Sequence, residues 1–144
     1  MRGRAKPPQY QLLDHTADLG MAVYGANLKE LYSNSAFVMF DLIADTSKVE
    51  TKHSMVIEVE GNSPEELMVN WLSELLYVLE SRSLLLVEFN ILDLDNNRLK
   101  AEVRGEPYDP ARHEFFTEIK AATYHQLKIE KVDDLWKAQI IFDT

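Results

Sequence analysis

Groups able to bind a cation or move a proton gather at the two ends of the chain. Asp14, His15 and Asp18 lie close together near the start, Lys120 and His125 come late, and Asp143 stands beside the last residue, Thr144. Carboxylates brought together repel one another. A divalent cation removes that repulsion while taking oxygen donors at about 2.0–2.6 Å, so this set favours calcium, manganese or magnesium over zinc. Asp18 with His15 could also activate a water, which would make a small metal-dependent hydrolase. Each group has a structural alternative as well. An Asp-x-x-x-Asp turn commonly caps local N–H groups, a histidine at a strand end commonly bonds a backbone carbonyl, and a lysine on the wet face of a strand is simply solvated. A sheet that brings the last strand alongside the first would place Asp143 and Thr144 near Asp18, and the intervening elements would have to build that sheet.

Composition narrows the chemistry. The 144 residues contain no cysteine, which excludes a disulfide scaffold, a thiolate zinc site, an iron–sulfur cluster and a thiol nucleophile. The absence also fits a reducing, cytoplasmic setting. Nucleotide-loop, dinucleotide, zincin and serine-hydrolase motifs are missing, and Asp93–Asn97 lacks the Gly and Glu of a calcium-binding EF loop. The net charge of −9 argues against direct binding of nucleic acid, because phosphate recognition needs a basic face. Uninterrupted apolar runs such as Leu84–Val87 fall far short of the ~20 residues of a membrane span.

The elements that must position the acidic groups are legible from periodicity. Residues 1–9 form a basic lead-in with Arg2, Arg4, Lys6 and the pair Pro7-Pro8, expected to be flexible and outside the fold. Residues 10–144 are expected to form a single domain, as their length suggests. Tyr10–Leu13 and Met21–Tyr24 read as strands around a polar turn at Asp14–Asp18. Asn27 and Glu30 have capping-box spacing, and Leu28, Leu31, Tyr32, Ala36, Met39, Phe40 and Ile43 follow at helical intervals, predicting a helix with one buried face. Ser63-Pro64-Glu65-Glu66 opens a second helix with a cap, a proline at its first position and acids at the positive end of its dipole. Its stripe is Leu67, Trp71, Leu72, Leu75, Val78 and Leu79. Alternation around Met55–Val59 and Leu99–Val103 predicts strands, and Leu84–Leu94 reads as a central one. Asp95-Asn96-Asn97 and Asp133-Asp134 predict two hairpins, the second joining a strand at Ile119–Lys131 to one at Leu135–Phe142. The expected class is α+β: two amphipathic helices packed on a largely antiparallel sheet of six or seven strands.

At the chemical positions the sequence resembles a known family. Asp14-His15-Thr16-Ala17-Asp18-Leu19-Gly20, Tyr24-Gly25, Trp71-Leu72-Ser73-Glu74-Leu75-Leu76-Tyr77, Gly105-Glu106-Pro107-Tyr108-Asp109, Glu118-Ile119-Lys120-Ala121-Ala122-Thr123-Tyr124-His125 and the penultimate Asp143 occur in the order found in archeases. The resemblance implies a small acidic α+β protein that is not an enzyme. It implies a protein cofactor of the tRNA-splicing RNA ligase, which uses GTP and manganese, and which such a cofactor helps through guanylylation and multiple turnover. A chaperone-like role toward a tRNA cytosine-5 methyltransferase is also attached to the family. By the same resemblance Asp18, Asp143 and Thr144 would hold a divalent metal, calcium first and manganese or magnesium next. Lys120 would be a further residue needed for partner activation, and Asp14, His15 and His125 are candidates to support the site. The chain ends Asp-Thr where relatives often end in Asp and an aliphatic residue.

Overall fold

In a computed structural model, which describes residues 8–13 and 18–144, eight strands and two α-helices are present among the described residues. Strands β1 (Tyr10–Leu13) and β2 (Leu19–Gly25) lead into α1 (Leu28–Ile43), and a 3-10 turn at Thr46–Lys48 precedes β3 (His53–Glu60). Helix α2 (Pro64–Arg82) is followed by β4 (Leu84–Leu94) and β5 (Arg98–Pro107). The chain closes with β6 (Ala121–Ala122), β7 (Lys128–Val132) and β8 (Leu135–Asp143). Residues 1–7, most of the proposed lead-in, and Asp14 to Ala17 lie outside the described set.

Both helices begin on the same local device. The Oδ1 of Asn27 accepts the Glu30 N–H at 2.8 Å, and the Glu30 carboxylate accepts the Ala26 N–H at 3.2 Å. Ser63 Oγ likewise accepts the Glu66 N–H at 3.0 Å, and Glu66 accepts the Asn62 N–H at 3.2 Å. Each glutamate reaches one residue further back than a simple capping box requires, so an extra amide beyond the helix end is satisfied. Gly25 and Gly61 precede the two caps, and a Cβ at either would stand 2.6 Å from the amide nitrogen of Leu31 or Leu67. These glycines admit a close approach of strand end to helix start.

The α+β class with antiparallel strands holds, but the strands form two sheets rather than one. β1, β2 and β8 are neighbours in the larger sheet, with β6 and β7 both pairing with β8, while β3, β5 and β4 make a three-stranded sheet. Each helix touches both sheets. That position explains why α1 buries Leu31, Tyr32, Ser35, Ala36, Val38, Met39, Phe40 and Ile43, a set spanning about 200° of the helix where one stripe was expected. Trp71, fully buried on α2, donates its Nε1–H to the Tyr32 carbonyl at 2.9 Å and meets Phe89 of β4 edge-on at 6.4 Å. In the smaller sheet β4 skips a register step between Leu86 and Glu88, and a Cβ on Gly105 would lie 1.8 Å from the Leu85 carbonyl oxygen. Only glycine fits opposite that bulge.

A second difference concerns Ile119–Lys131. It is not one strand, because β6 and β7 are separated by a turn in which Gln126 takes a positive φ of 51°. β8 is long enough to pair with both pieces along one edge, from Gln139 back to Leu135 with β7 and at Phe142 and Asp143 with β6.

Candidate functional site at the end of the larger sheet

The site begins with strand register. β8 pairs antiparallel with β2, not with β1, and sets Phe142 opposite Leu19. Continued by one residue, that register brings Asp18, just ahead of β2, level with Asp143, the last residue of β8. On its other side β8 pairs Asp143 with Ala121, and the Lys120 N–H donates to the Asp143 carbonyl at 2.8 Å. Asp18, Asp143 and Lys120, which are far apart in sequence, are therefore delivered to one tip by backbone hydrogen bonds. Asp18 is half-buried, whereas Lys120, Asp143 and Thr144 are exposed.

Lys120 arrives by a loop that is tied down along its length. The Ile43 carbonyl at the end of α1 accepts N–H bonds from Phe116 at 2.8 Å and Thr117 at 3.1 Å, and Glu114 accepts from the Asp45 N–H at 2.8 Å. The loop thus satisfies an orphan carbonyl of the helix, and the helix end in turn fixes the loop. Upstream, the loop is anchored on Glu106, whose side chain is almost wholly buried at the end of β5. Arg112 Nη1 donates to its Oε1 at 3.0 Å, the Glu50 N–H to its Oε2 at 3.1 Å, and His113 Nε2 lies 2.9 Å from the same Oε2. The Asp109 N–H donates to His113 Nδ1 at 2.8 Å, so the ring proton sits on Nε2 and a neutral imidazole donates to Glu106. Burial alone would raise the Glu106 pKa, but hydrogen bonds from Arg112, the Glu50 N–H and His113, with the Arg112 charge, hold it down at about 2. Arg112 also donates to the Lys48 carbonyl at 3.1 Å, tying the segment after α1 into the same knot.

His125 is not in a strand but in the turn between β6 and β7, exposed, with its N–H on Thr123 Oγ1 at 3.3 Å. It comes four residues after Ala121, the β6 residue that pairs with Asp143. Lys120 also lies just outside a strand, ahead of β6. Asp14 and His15 fall outside the described residues.

A model of the Archease protein family (MTH1598/TM1083) matches residues 10–144. The chain belongs to the archease family. It is similar to protein archease of Methanosarcina acetivorans, 41% identical over 139 residues that cover 94% of this chain and 95% of that one. Protein archease of Sulfurisphaera tokodaii is 35% identical, covering 94% and 98% of the two chains. The solution structure of Methanobacterium thermoautotrophicum protein 1598 superposes with a TM-score of 0.80 at 33% identity, over 94% of this chain and 98% of that one. The crystal structure of an archease of Thermotoga maritima, described as a possible chaperone, agrees in fold with a TM-score of 0.66 at 21% identity over both full chains.

Within this archease fold the tip offers oxygen donors: two carboxylates and the main-chain oxygens of the last residues. Among the described residues no three His, Asp or Glu side chains converge on one point. Two carboxylates still suit a hard cation, since calcium takes roughly six to eight oxygens and readily fills the remainder with carbonyls and water. The donor chemistry therefore fits the metal that the archease resemblance implies. In the sequence the Glu106 knot shows only as the motif Gly105-Glu106-Pro107-Tyr108-Asp109, with no role attached to the glutamate. Glu106 keeps the polar phase of Lys100, Glu102 and Arg104, so alternation gives no sign of its burial; the one local signal is a basic residue and a histidine, Arg112 and His113, six and seven positions later.

Proposed function

We propose that this protein is a non-catalytic activator of a tRNA-splicing RNA ligase, acting through a metal-holding acidic tip formed by Asp18, Asp143 and Thr144. Membership of the archease family supports the reading, and the observation that carries it is the β2–β8–β6 register, which gathers Asp18, Asp143 and Lys120 at one exposed sheet end. When bound, a divalent cation would offset the repulsion between the two carboxylates and cancel their charge at the tip. The protein's own residues do the rest: Asp18 and Asp143 supply side-chain oxygens, Thr144 a main-chain oxygen, and Lys120 a mobile cation beside them for the partner's acidic or phosphate groups.

A net charge of −9 suits docking on a basic enzyme rather than on RNA. Such an activator lowers the barrier of a step in its partner, here guanylylation, without contributing a nucleophile. Single- and multiple-turnover ligation with and without the protein tests this. We expect faster guanylylation and more turnovers with wild type, loss of stimulation in Asp18→Ala, Lys120→Ala and Asp143→Ala, and no ligation by the protein alone. Unchanged stimulation by all three variants would remove the tip from the mechanism. A chaperone-like action on a methyltransferase would instead appear as protection of that enzyme's solubility independent of the tip, and a hydrolase as phosphoester turnover with metal alone.

A further inference from the structure

A cleft of about 440 Å³ opens between the C-terminal half of α2 and the loop that carries Lys120. Its floor and walls are Ile43, Leu76, Leu79, Phe115 and Ile119, and its polar rim is Glu80, Glu118 and Lys120. Phe115 keeps 47% of its surface exposed, and Phe116 beside it 52%. Two neighbouring half-exposed aromatics beside an apolar cleft are a feature of contact sites rather than of inert surface. The cleft is also stiff. The Phe116 and Thr117 amides are bonded to the Ile43 carbonyl, Ala44 and Phe115 form a β-bridge, and the Phe115 ring meets Tyr108 edge-on at 6.1 Å. An occupant would not have to order these walls, which lowers the cost of binding.

We propose that this cleft is a docking groove for an amphipathic, Lys- or Arg-bearing helix of a partner protein. The apolar floor would take that helix's apolar face, spaced at i, i+3, i+4 and i+7. The rim sets the sign, because Glu80 on the helix side and Glu118 on the loop side oppose a single Lys120 on a chain of net charge −9. A second copy of this chain would bring a further −9 and is disfavoured by the same count. Lys120 belongs to both the groove and the tip, so a helix seated here would bring its protein against Asp18 and Asp143. The inference rests on the reading that the protein acts by docking on another protein, but it does not involve the metal.

The test is fluorescence polarisation of the full chain with a labelled leucine–lysine amphipathic peptide at physiological salt, beside a leucine–glutamate counterpart. The lysine peptide should bind and the glutamate peptide should not. Phe115→Ala should weaken binding by about tenfold, as for loss of one aromatic anchor. Glu118→Lys, a rim change that leaves the walls intact, should also weaken it several-fold, and Glu60→Lys, on the exposed strand β3 of the other sheet, should leave it unchanged. Melting curves matching wild type would show that the variants fold. Equal weakening by Glu60→Lys would mean diffuse charge attraction and would overturn the groove. So would Phe115-dependent self-association in sedimentation, since the occupant would then be a second copy. Neither ligase nor metal enters this assay, so its failure leaves the tip reading standing, and loss of metal binding leaves the groove standing.

Discussion

Two carboxylates end strands in this molecule under opposite conditions. Glu106, at the end of β5, is buried and filled with donors: a guanidinium, a backbone amide and a neutral imidazole, all within 3.1 Å. Asp143, at the end of β8, is exposed, and its main-chain carbonyl accepts the Lys120 N–H. A saturated acid in a closed pocket organises chain, and it does so here for the loop that delivers Lys120. An acid set by its backbone and left open to solvent is available to something outside the chain. The difference lies in partner saturation and not in residue type, so it gives a criterion for sorting the acidic residues of an acidic protein.

The largest expected effect is on the saturated side. Glu106→Ala removes the acceptor of three donors, of which the His113 N–H is fully buried while Arg112 stays in reach of water, and should cost about 3 kcal/mol, the upper end of what an unpaired buried donor costs. For a chain of this size that lowers the melting temperature on the order of 10 °C. A drop of only a degree or two in a thermal scan would mean that the knot is replaceable, and the contrast with Asp143 would weaken.

The pH response follows from the same group. An unfolded glutamate takes up its proton near 4.5, while folded Glu106 holds it off down to about 2. Between those values the unfolded chain binds the extra proton, so the stabilisation is complete above 4.5 and is lost as pH falls toward 2. Urea midpoints measured down this range should fall more steeply for wild type than for Glu106→Gln. Parallel curves would show that other carboxylates dominate acid unfolding.

Next in size is a ligand effect at the open site. If the tip holds calcium, a hundredfold excess over the dissociation constant should stabilise wild type by about 2.7 kcal/mol, seen as a rise in melting temperature that chelator reverses. Asp143→Ala should melt with wild type in chelator and show no rise. A calcium shift that survives this substitution would place the cation elsewhere.

What the sequence disclosed divides along the same line. Helix starts at Asn27 and Ser63 and the alternation in β5 are local patterns, carried by neighbours a few residues apart, and they were legible. The meeting of Asp18 with Asp143 was legible only as a condition, because periodicity in β2 and β8 cannot say which strands pair. The division into two sheets was hidden for a related reason: an apolar residue facing a helix from either side leaves the same mark in sequence. The Ile119–Lys131 stretch misled because Ile119 and Ala121 share a phase with Leu127 and Ile129 on either side of a break at 122–126, and the positive φ of Gln126 within that break is a backbone choice that glutamine does not advertise. The Glu106 knot joins residues 48, 50, 106, 112 and 113, and its long-range members leave no periodic trace.

Lys120 gives the smallest change in stability and the sharpest separation of roles. Its main-chain N–H, not its ammonium, holds Asp143, so Lys120→Met keeps the bond that sets the tip. The side chain is exposed, and a surface change of this kind stays within about 0.5 kcal/mol. Removing a positive charge beside two carboxylates cannot weaken their attraction for a cation, so calorimetry should find calcium binding at least as tight as in wild type. Stimulation of a partner ligase should nevertheless fall, because the ammonium is the group at the tip that can reach an acidic or phosphate oxygen of another molecule. Weaker calcium binding in Lys120→Met would show that the side chain braces the carboxylates, and unchanged stimulation would show that the backbone bond is all that Lys120 contributes.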